Sequence, residues 1–153
     1  MALAIMKNDF MPAMVEEDES QARDTQLPQG HTLQPGAFEI APDEALVIEF
    51  TPPSELSYWG FSLLNRWYES LDYRYASVHT NQLRATADAE GRVRLVVAHR
   101  DPGAANWIST TGHRHGTMLF RWTRPGPDTR YPEIETRLVK ISALGGSGES
   151  QTH

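Results

Sequence analysis

Residues 92–122 read RVRLVVAHRDPGAANWISTTGHRHGTMLFRW, two strand-like segments joined by a loop. In the first segment every second residue from Val93 to Val97 is apolar, and His99 continues the same face at its rim. The second segment, GTMLFRWT, is rich in the apolar and aromatic residues that favour strands. The loop between them, His99–Gly116, contains a DPG turn and three of the six histidines. This stretch predicts a β fold whose polar side chains gather in one loop.

Alternating segments on the N-terminal side extend the β pattern. ALVIEF and YWGFSLL each place every second residue on one face, and the expected core positions are Leu46, Ile48, Phe50, Trp59, Phe61 and Leu63. AFEI and ALVIEF are separated by the turn sequence PDE, so we expect them to pair as a hairpin. SVHTNQLRATAD and RVRLVVAHR flank the turn sequence AEG, which predicts a second hairpin. NRWYESLDYRY predicts a turn of helix or an irregular loop.

With ETRLVKIS near the C-terminal end, these segments amount to about six to eight short strands separated by turns. The sequence therefore predicts an all-β fold, an antiparallel β-sandwich or barrel for which a jelly-roll-like topology is one solution. We expect the sandwich domain to span residues 36–142. Residues 1–35 are predicted to form a short N-terminal arm with an acidic connector, and residues 143–153 a flexible tail.

The arm has an apolar pattern of its own. Leu3, Met6, Phe10 and Met14 recur at steps of three and four, which predicts a short amphipathic helix. Such a methionine-rich arm either docks on another subunit or packs on its own domain.

Charge and composition exclude several classes of protein. Residues 1–45 hold nine acidic and two basic side chains, whereas the other 108 residues hold 11 acidic and 12 basic ones. The body of the chain is nearly neutral, so we expect no nucleic-acid partner. No apolar run is long enough to span a membrane, no signal peptide is recognisable, and cysteine is absent. These features predict a soluble cytoplasmic protein without membrane association.

The DPG turn admits two interpretations. In the structural one, Asp101 caps a type II turn in which proline fixes one φ and glycine takes the positive φ that follows. In the functional one, Asp101 is a hydrogen-bond acceptor or general base beside His99, and Asn106 lies in the same loop. Turn chemistry alone accounts for the residues, so the structural interpretation is preferred.

The HRH sequence is either a structural segment or part of a metal-binding site. On an extended strand His113 and His115 point to the same side, which is the geometry of a metal-binding pair. A site would need a third ligand, for which His79, His99 and Asp101 are candidates. Because a lone pair of histidines is a weak signal, we predict no metal and no other cofactor.

Arginines embedded in aromatic segments are candidates for ligand binding. In the structural interpretation, which is preferred, the guanidiniums stack on Trp67, Trp107 or Trp122 and pair with carboxylates to hold the scaffold together. In the functional one, Arg66 or Arg121 binds an anionic group of a ligand inside an aromatic pocket that includes Trp67 and Trp107. Neither a phosphate-binding GxxxxGK[ST] loop nor a GxSxG nucleophile motif occurs in the sequence.

Three segments carry a resemblance to a known family. YWGFSLLNRWYESLDYRY, NQLRATADAEGRVRLVVAHRDPGAANWI and TGHRHGTMLFRW resemble the C-terminal domain of the family of unknown function numbered 1214. The likeness runs from about Asp18 to Ile141. It implies a jelly-roll β-sandwich and no established reaction. Family members usually have a separate domain before this one, whereas a short arm stands here, so we expect the uncovered surface to support a homo-oligomer.

Two functional hypotheses follow. The first is a small-molecule-binding sandwich, an enzyme of secondary or lipid-type metabolism that performs isomerisation, cyclisation or elimination on an apolar organic substrate. Its candidate catalytic residues surround the mouth of an aromatic-lined cavity: His99, Asp101, Asn106, His113 and His115. The second is a non-catalytic binding or assembly module that acts in an oligomer.

Overall fold

The computed structural model describes residues 7–13, 31–72, 74, 77–123 and 130–145. The strands are β1 (Asp9–Phe10), β2 (His31–Glu39), β3 (Glu44–Phe50), β4 (Tyr58–Leu64), β5 (His79–Asn81), β6 (Val93–Ala98), β7 (Trp107–Ser109), β8 (His115–Thr123) and β9 (Glu135–Lys140). One short helix, α1 (Ile141–Gly145), follows β9 directly.

The strands form two sheets that pack face to face. The first sheet has the order β1-β2-β8-β4-β5 and the second has the order β7-β6-β3-β9. Every neighbouring pair is antiparallel except β6 and β7, which run parallel. The chain passes repeatedly from one sheet to the other, and β8 lies between β2 and β4. The predicted all-β sandwich is therefore confirmed, with one parallel pair at the edge of the second sheet.

The core consists of the residues that alternation placed on the inner faces. Phe120 lies at its centre, with ring centroids 5.0 Å from both Phe50 and Phe61 and 4.7 Å from Trp122. These side chains come from both sheets and are almost fully buried. Burial of such large apolar groups is the main stabilising term of the fold, at about 1.5–3 kcal/mol for each side chain. The aromatic residues thus fill the space between the sheets.

The predicted hairpin of AFEI and ALVIEF is wrong. β2 pairs with β1 and β8, whereas β3 belongs to the other sheet and pairs with β6 and β9. The residues between them form a corner, in which the Glu44 amide donates to the Ala41 carbonyl and the Ala41 amide to the Glu44 carboxylate. A tight turn can join two neighbouring strands of one sheet or two strands that belong to different sheets. Which of these forms depends on the strands elsewhere in the chain with which each one pairs.

The second predicted hairpin forms only at its turn. Gly91 takes the expected positive φ of 81°. The preceding strand β5 pairs with β4 in the first sheet, however, and a single bridge between Ala87 and Val93 joins the two arms. The NRWYESLDYRY segment begins as an irregular loop, in agreement with one of its two predicted forms.

β2 begins at His31, inside the segment predicted to be a connector. The polar residues Thr32 and Gln34 are typical of a solvent-exposed connector, yet both side chains are buried and hydrogen bonded. Gln34 accepts a bond from the indole of Trp122 at 2.9 Å and donates to the carbonyl of Met11. Burial of these polar groups is tolerated because each has a partner. The sheet therefore extends beyond the predicted domain boundary.

The N-terminal arm contributes a strand where a helix was expected. Asp9 and Phe10 pair with Ala37 and Gly36, and the Phe10 ring packs 5.1 Å from Phe120. The other residues of the predicted helix, most of the acidic connector and the end of the tail lie outside the described residues. Over its described part, the arm packs on its own domain.

No helix among the described residues is long and apolar enough to cross a membrane.

Candidate functional site

His99 lies where β6 ends and the loop begins, and both of its ring nitrogens are engaged. Nε2 lies 2.8 Å from the carbonyl oxygen of Ile40 and Nδ1 lies 2.8 Å from the hydroxyl of Thr110. A carbonyl can only accept, so Nε2 donates to Ile40, and Nδ1 shares a hydrogen bond with the Thr110 hydroxyl, which can donate or accept. Ile40 and Thr110 are fully buried. His99 thus ties the β2–β3 corner to the turn that follows β7, and both of its ring nitrogens are engaged in hydrogen bonds within the protein.

The HRH sequence divides between a turn and a strand. His113 ends a turn in which Thr111 and Gly112 both have positive φ, and its amide donates to the Thr110 carbonyl at 3.0 Å. Positive φ at both central positions is typical of a type I′ turn. His115 is the first residue of β8 and is opposite Glu39 on β2. Both imidazoles are exposed.

The five candidate catalytic residues do not form one cluster. No hydrogen bond joins the side chain of His99 to Asp101, Asn106, His113 or His115, all of which the structure describes. No three histidine or carboxylate side chains in the described ranges are close enough together to hold a metal ion. His99 and His115 are both near Ile40, since His99 bonds to its carbonyl and His115 lines a groove together with it.

Asp101 and Asn106 have structural roles in the loop. The Asp101 carboxylate accepts from the Gly103 amide at 2.8 Å, and Gly103 has a φ of 79°. Asn106 accepts from the Thr86 amide through its Oδ1, and its Nδ2 donates to the carbonyls of Thr86 and Arg94. The bonds of Asn106 fasten the loop to β6 and to the segment before β6. The bond of Asp101 agrees with the structural interpretation of the DPG turn.

The four predicted ligand-binding residues are spread over the molecule. Arg66 and Trp67 lie on the loop after β4, where Trp67 is 79% exposed. Trp107 is half-buried on the outer side of β6 and donates its indole N–H to the Ala98 carbonyl. Arg121 is exposed and is six residues, or about 20 Å, along β8 from His115. No common aromatic pocket unites them.

A groove on the outer face of the second sheet gathers charged residues that the sequence analysis did not select. Its volume is about 660 Å³, and we call it the arginine groove. Its floor and walls come from β3, β6, β9, α1 and the loops 86–92 and 101–106. The lining residues used below are Glu49, Arg92, Arg94, Val96, Ala104, Arg137 and Leu144.

The charges in the arginine groove are unequally paired. Glu49 binds Arg92 at 2.9 Å and Arg137 at 3.3 Å, and Arg92 also binds Glu135 at 2.9 Å. The hydrogen bond to Glu49, together with the charge of Glu135, raises the pKa of Arg92 above its usual range. Arg94 makes no side-chain hydrogen bond or ion pair, although it lies opposite Glu49 in the strand register. One guanidinium in the groove is therefore free.

A smaller groove of about 390 Å³ lies beside His115, at the gap between the two sheets. Lys7, Glu39, Arg114 and Leu138 contribute to its walls. Lys7 and Glu39 form an ion pair at 3.1 Å, and both side chains are largely exposed. This groove is named the edge groove because Leu138 belongs to the edge strand β9.

The sequence contained part of the signal for the arginine groove. Arg92 and Arg94 alternate with the core residues of β6, which predicts that they face outward. The other contributors, Glu49 on β3 and Arg137 on β9, reach the groove only through sheet pairing. Strand order is a tertiary property, so alternation within one strand does not reveal this cluster.

Solved structures of other proteins resemble this one, and two of them are the following. An uncharacterised protein from Burkholderia cenocepacia has a TM-score of 0.76 and 32% sequence identity over 93% of this chain. A protein from Vibrio parahaemolyticus has a TM-score of 0.56 and 12% identity over 77% of the chain, which shows similarity of fold alone. This chain spans 38% and 34% of the lengths of those two proteins. No family model matches the chain, and no curated protein matches it.

Proposed function

We propose that this domain binds a small organic anion in the arginine groove and does not itself catalyse a reaction. The observation that carries the proposal is the unpaired guanidinium of Arg94 in a groove with one cationic end and one apolar end. The ligand class that matches is a carboxylic acid with a short aliphatic body.

The cationic end supports recognition of a carboxylate. The Glu49 carboxylate is already shared by Arg92 and Arg137, so it does not neutralise Arg94 as well. A guanidinium binds a carboxylate through two parallel hydrogen bonds, a geometry that fixes the orientation of the ligand. An incoming anion would thus supply the partner that Arg94 lacks.

The apolar end supports an aliphatic ligand body. Val96, Ala104 and Leu144 line this part of the arginine groove, and they belong to or adjoin a small apolar cluster on the outer face of the sheet. The volume of about 660 Å³ is within the roughly 300–1,000 Å³ of small-molecule sites. A short chain attached to the carboxylate would cover this apolar surface.

The state of the histidines supports binding without catalysis. Acid–base work needs a group that can exchange a proton with the substrate, whereas both nitrogens of His99 are committed to hydrogen bonds inside the protein. The enzyme hypothesis would then depend on Asp101 and on the two exposed histidines, His113 and His115. Membership of the family of unknown function numbered 1214 is likewise proposed, on the strength of the three sequence segments quoted above.

The test is a titration with straight-chain carboxylates from acetate to octanoate, followed by NMR chemical shifts and calorimetry. We expect shifts at residues of the arginine groove, and an affinity that rises with chain length because more apolar surface is covered. Arg94→Gln should weaken binding by about tenfold or more, the loss of one charge-assisted interaction. The matched control is Arg100→Gln, an exposed arginine outside the groove without an ion pair.

Three results would contradict the proposal. The first is equal binding by wild-type protein and the Arg94 variant, and the second is an equal loss in the Arg100 control. The third is equal affinity for octanoate and octanamide, since the uncharged amide cannot replace the carboxylate at Arg94.

A further inference from the structure

The second sheet has an open edge at β9. This strand pairs with β3 on one side, and no described strand lies on its other side. Its six residues are mostly exposed, and Leu138 is one of the few exposed large apolar side chains, at 41%. Open edges of this length present unpaired backbone groups to which another strand can add.

The backbone groups at this edge belong to alternate residues. The Ile141 amide donates to the Asp43 carbonyl, which extends the β3–β9 ladder by one pair. Antiparallel ladders alternate, so Val139 and Arg137 also face β3 with their N–H and C=O groups. Thr136 and Leu138 therefore turn their backbone groups towards the open edge, where they have no protein partner.

Charged side chains often protect such edges from association, and here they are bound elsewhere. Glu135 pairs with Arg92, Arg137 with Glu49, and Lys140 with Asp43 at 2.8 Å. The hydrogen bond between Asp43 and Lys140 lowers the pKa of the acid and raises that of the base. Every charged side chain of β9 thus has an ion-pair partner within its own chain, so none stands unpaired at the edge.

We propose that β9 pairs antiparallel with β9 of a second copy of this chain and joins the two four-stranded sheets into one continuous sheet. If a two-fold axis perpendicular to the sheet relates the two copies, their inner faces lie on the same side of the joined sheet. Inner-face residues of one β9 are then opposite inner-face residues of the other, so the numbers of two opposed residues add up to an even number. With Leu138 on the axis, the exposed leucines are opposed and each Arg137 is opposite Val139. With Arg137 on the axis, each Leu138 would be opposite Thr136, and the two exposed leucines would not cover each other.

This assembly also covers the apolar side of the edge groove. Leu138 lines that groove and is its exposed apolar residue. In the Leu138-centred pair, each leucine side chain covers its counterpart, so both lose exposure to water. The inference goes beyond anion binding and does not depend on it, since Arg94 lies on β6, away from the open edge.

The first test measures association by analytical ultracentrifugation over a concentration series. We expect wild-type protein to dimerise and Leu138→Lys to raise the dissociation constant at least tenfold, because the variant places two like charges on the axis. The control Leu83→Lys removes a leucine that is 85% exposed elsewhere and should leave the dimer unchanged. Circular dichroism and melting curves confirm that both variants fold.

The second test reads the register through single cysteines, since the protein has none of its own. Oxidised Leu138→Cys should yield a disulfide-linked dimer, because the two residues 138 are neighbours across the axis. Thr136→Cys should not, because its copies are about 13 Å apart along the strands. Leu83→Cys measures chance collision.

The proposal is overturned if wild-type protein is monomeric throughout the series, or if Leu138→Lys dimerises as well as wild type. Equal cross-linking by Thr136→Cys or Leu83→Cys would also overturn it. Loss of carboxylate binding in Arg94→Gln leaves these measurements unaffected, so the two proposals fail separately.

Discussion

His99→Ala is the substitution that most directly separates a structural from a catalytic role for the central loop. The variant removes the imidazole and leaves both of its partners, the Ile40 carbonyl and the Thr110 hydroxyl, without that hydrogen bond. Each neutral hydrogen bond contributes about 0.5–1.5 kcal/mol, and a buried group left unpaired costs about 1–3 kcal/mol. Because Thr110 is fully buried, we expect the free energy of unfolding to fall by about 2–4 kcal/mol.

The assay is urea unfolding followed by tryptophan fluorescence, with linear extrapolation to water. The matched control is His113→Ala: this imidazole is exposed, and its backbone amide, which alanine keeps, makes the bond to Thr110. We expect a change within about 0.5 kcal/mol for the control. Thr110→Val tests the same bond from the other side, and the double variant should show coupling of about 0.5–3 kcal/mol with His99→Ala.

A His99→Ala protein as stable as His113→Ala would refute the structural reasoning. Additive effects of the His99 and Thr110 substitutions would refute the hydrogen bond between them. If the stability is lost as predicted, a loss of any activity in His99→Ala would be no evidence for a catalytic histidine.

Three further predictions concern the sheets. Trp122→Phe should lower the free energy of unfolding by about 1–3 kcal/mol, because the buried oxygen of Gln34 loses its donor; urea unfolding measures it. Gly116→Ala should cost about 1–3 kcal/mol in the same assay, because a Cβ would lie 2.5 Å from a carbonyl oxygen of β4. Asp43→Asn should lower the unfolding midpoint at neutral pH. Since Lys140 lowers the pKa of Asp43, that deficit should shrink as the pH falls below the ordinary value of 3.8 and through the lowered pKa.

The pattern within each strand could be predicted because it is local. A strand turns successive side chains to opposite faces, so Trp59, Phe61 and Leu63 had to share a face, and all are buried in the core. The DPG turn was predictable for the same reason, since proline restricts its own φ and Gly103 readily takes the positive φ that the turn requires. These features depend on a few consecutive residues.

The polar core of β2 shows where local pattern misleads. Thr32 and Gln34 resemble solvent-exposed residues, and only their distant partners make burial possible. The missing amide hydrogen of Pro35 is tolerated because the backbone of this residue faces β1, where its carbonyl accepts from the Met11 amide beyond the end of the β1 ladder. Neither compensation is visible in the residues around them.

The sequence by itself determined which residues of the alternating apolar segments face inward and where the chain turns. The tertiary structure alone decided that β2 and β3 belong to different sheets, that His99 binds Ile40 from across the chain, and that β9 brings Arg137 beside Glu49. The physical reason is that side-chain alternation follows from the backbone of one strand, whereas strand partners are selected by the packing of the whole core. The arginine groove and the open edge of β9 are products of that selection.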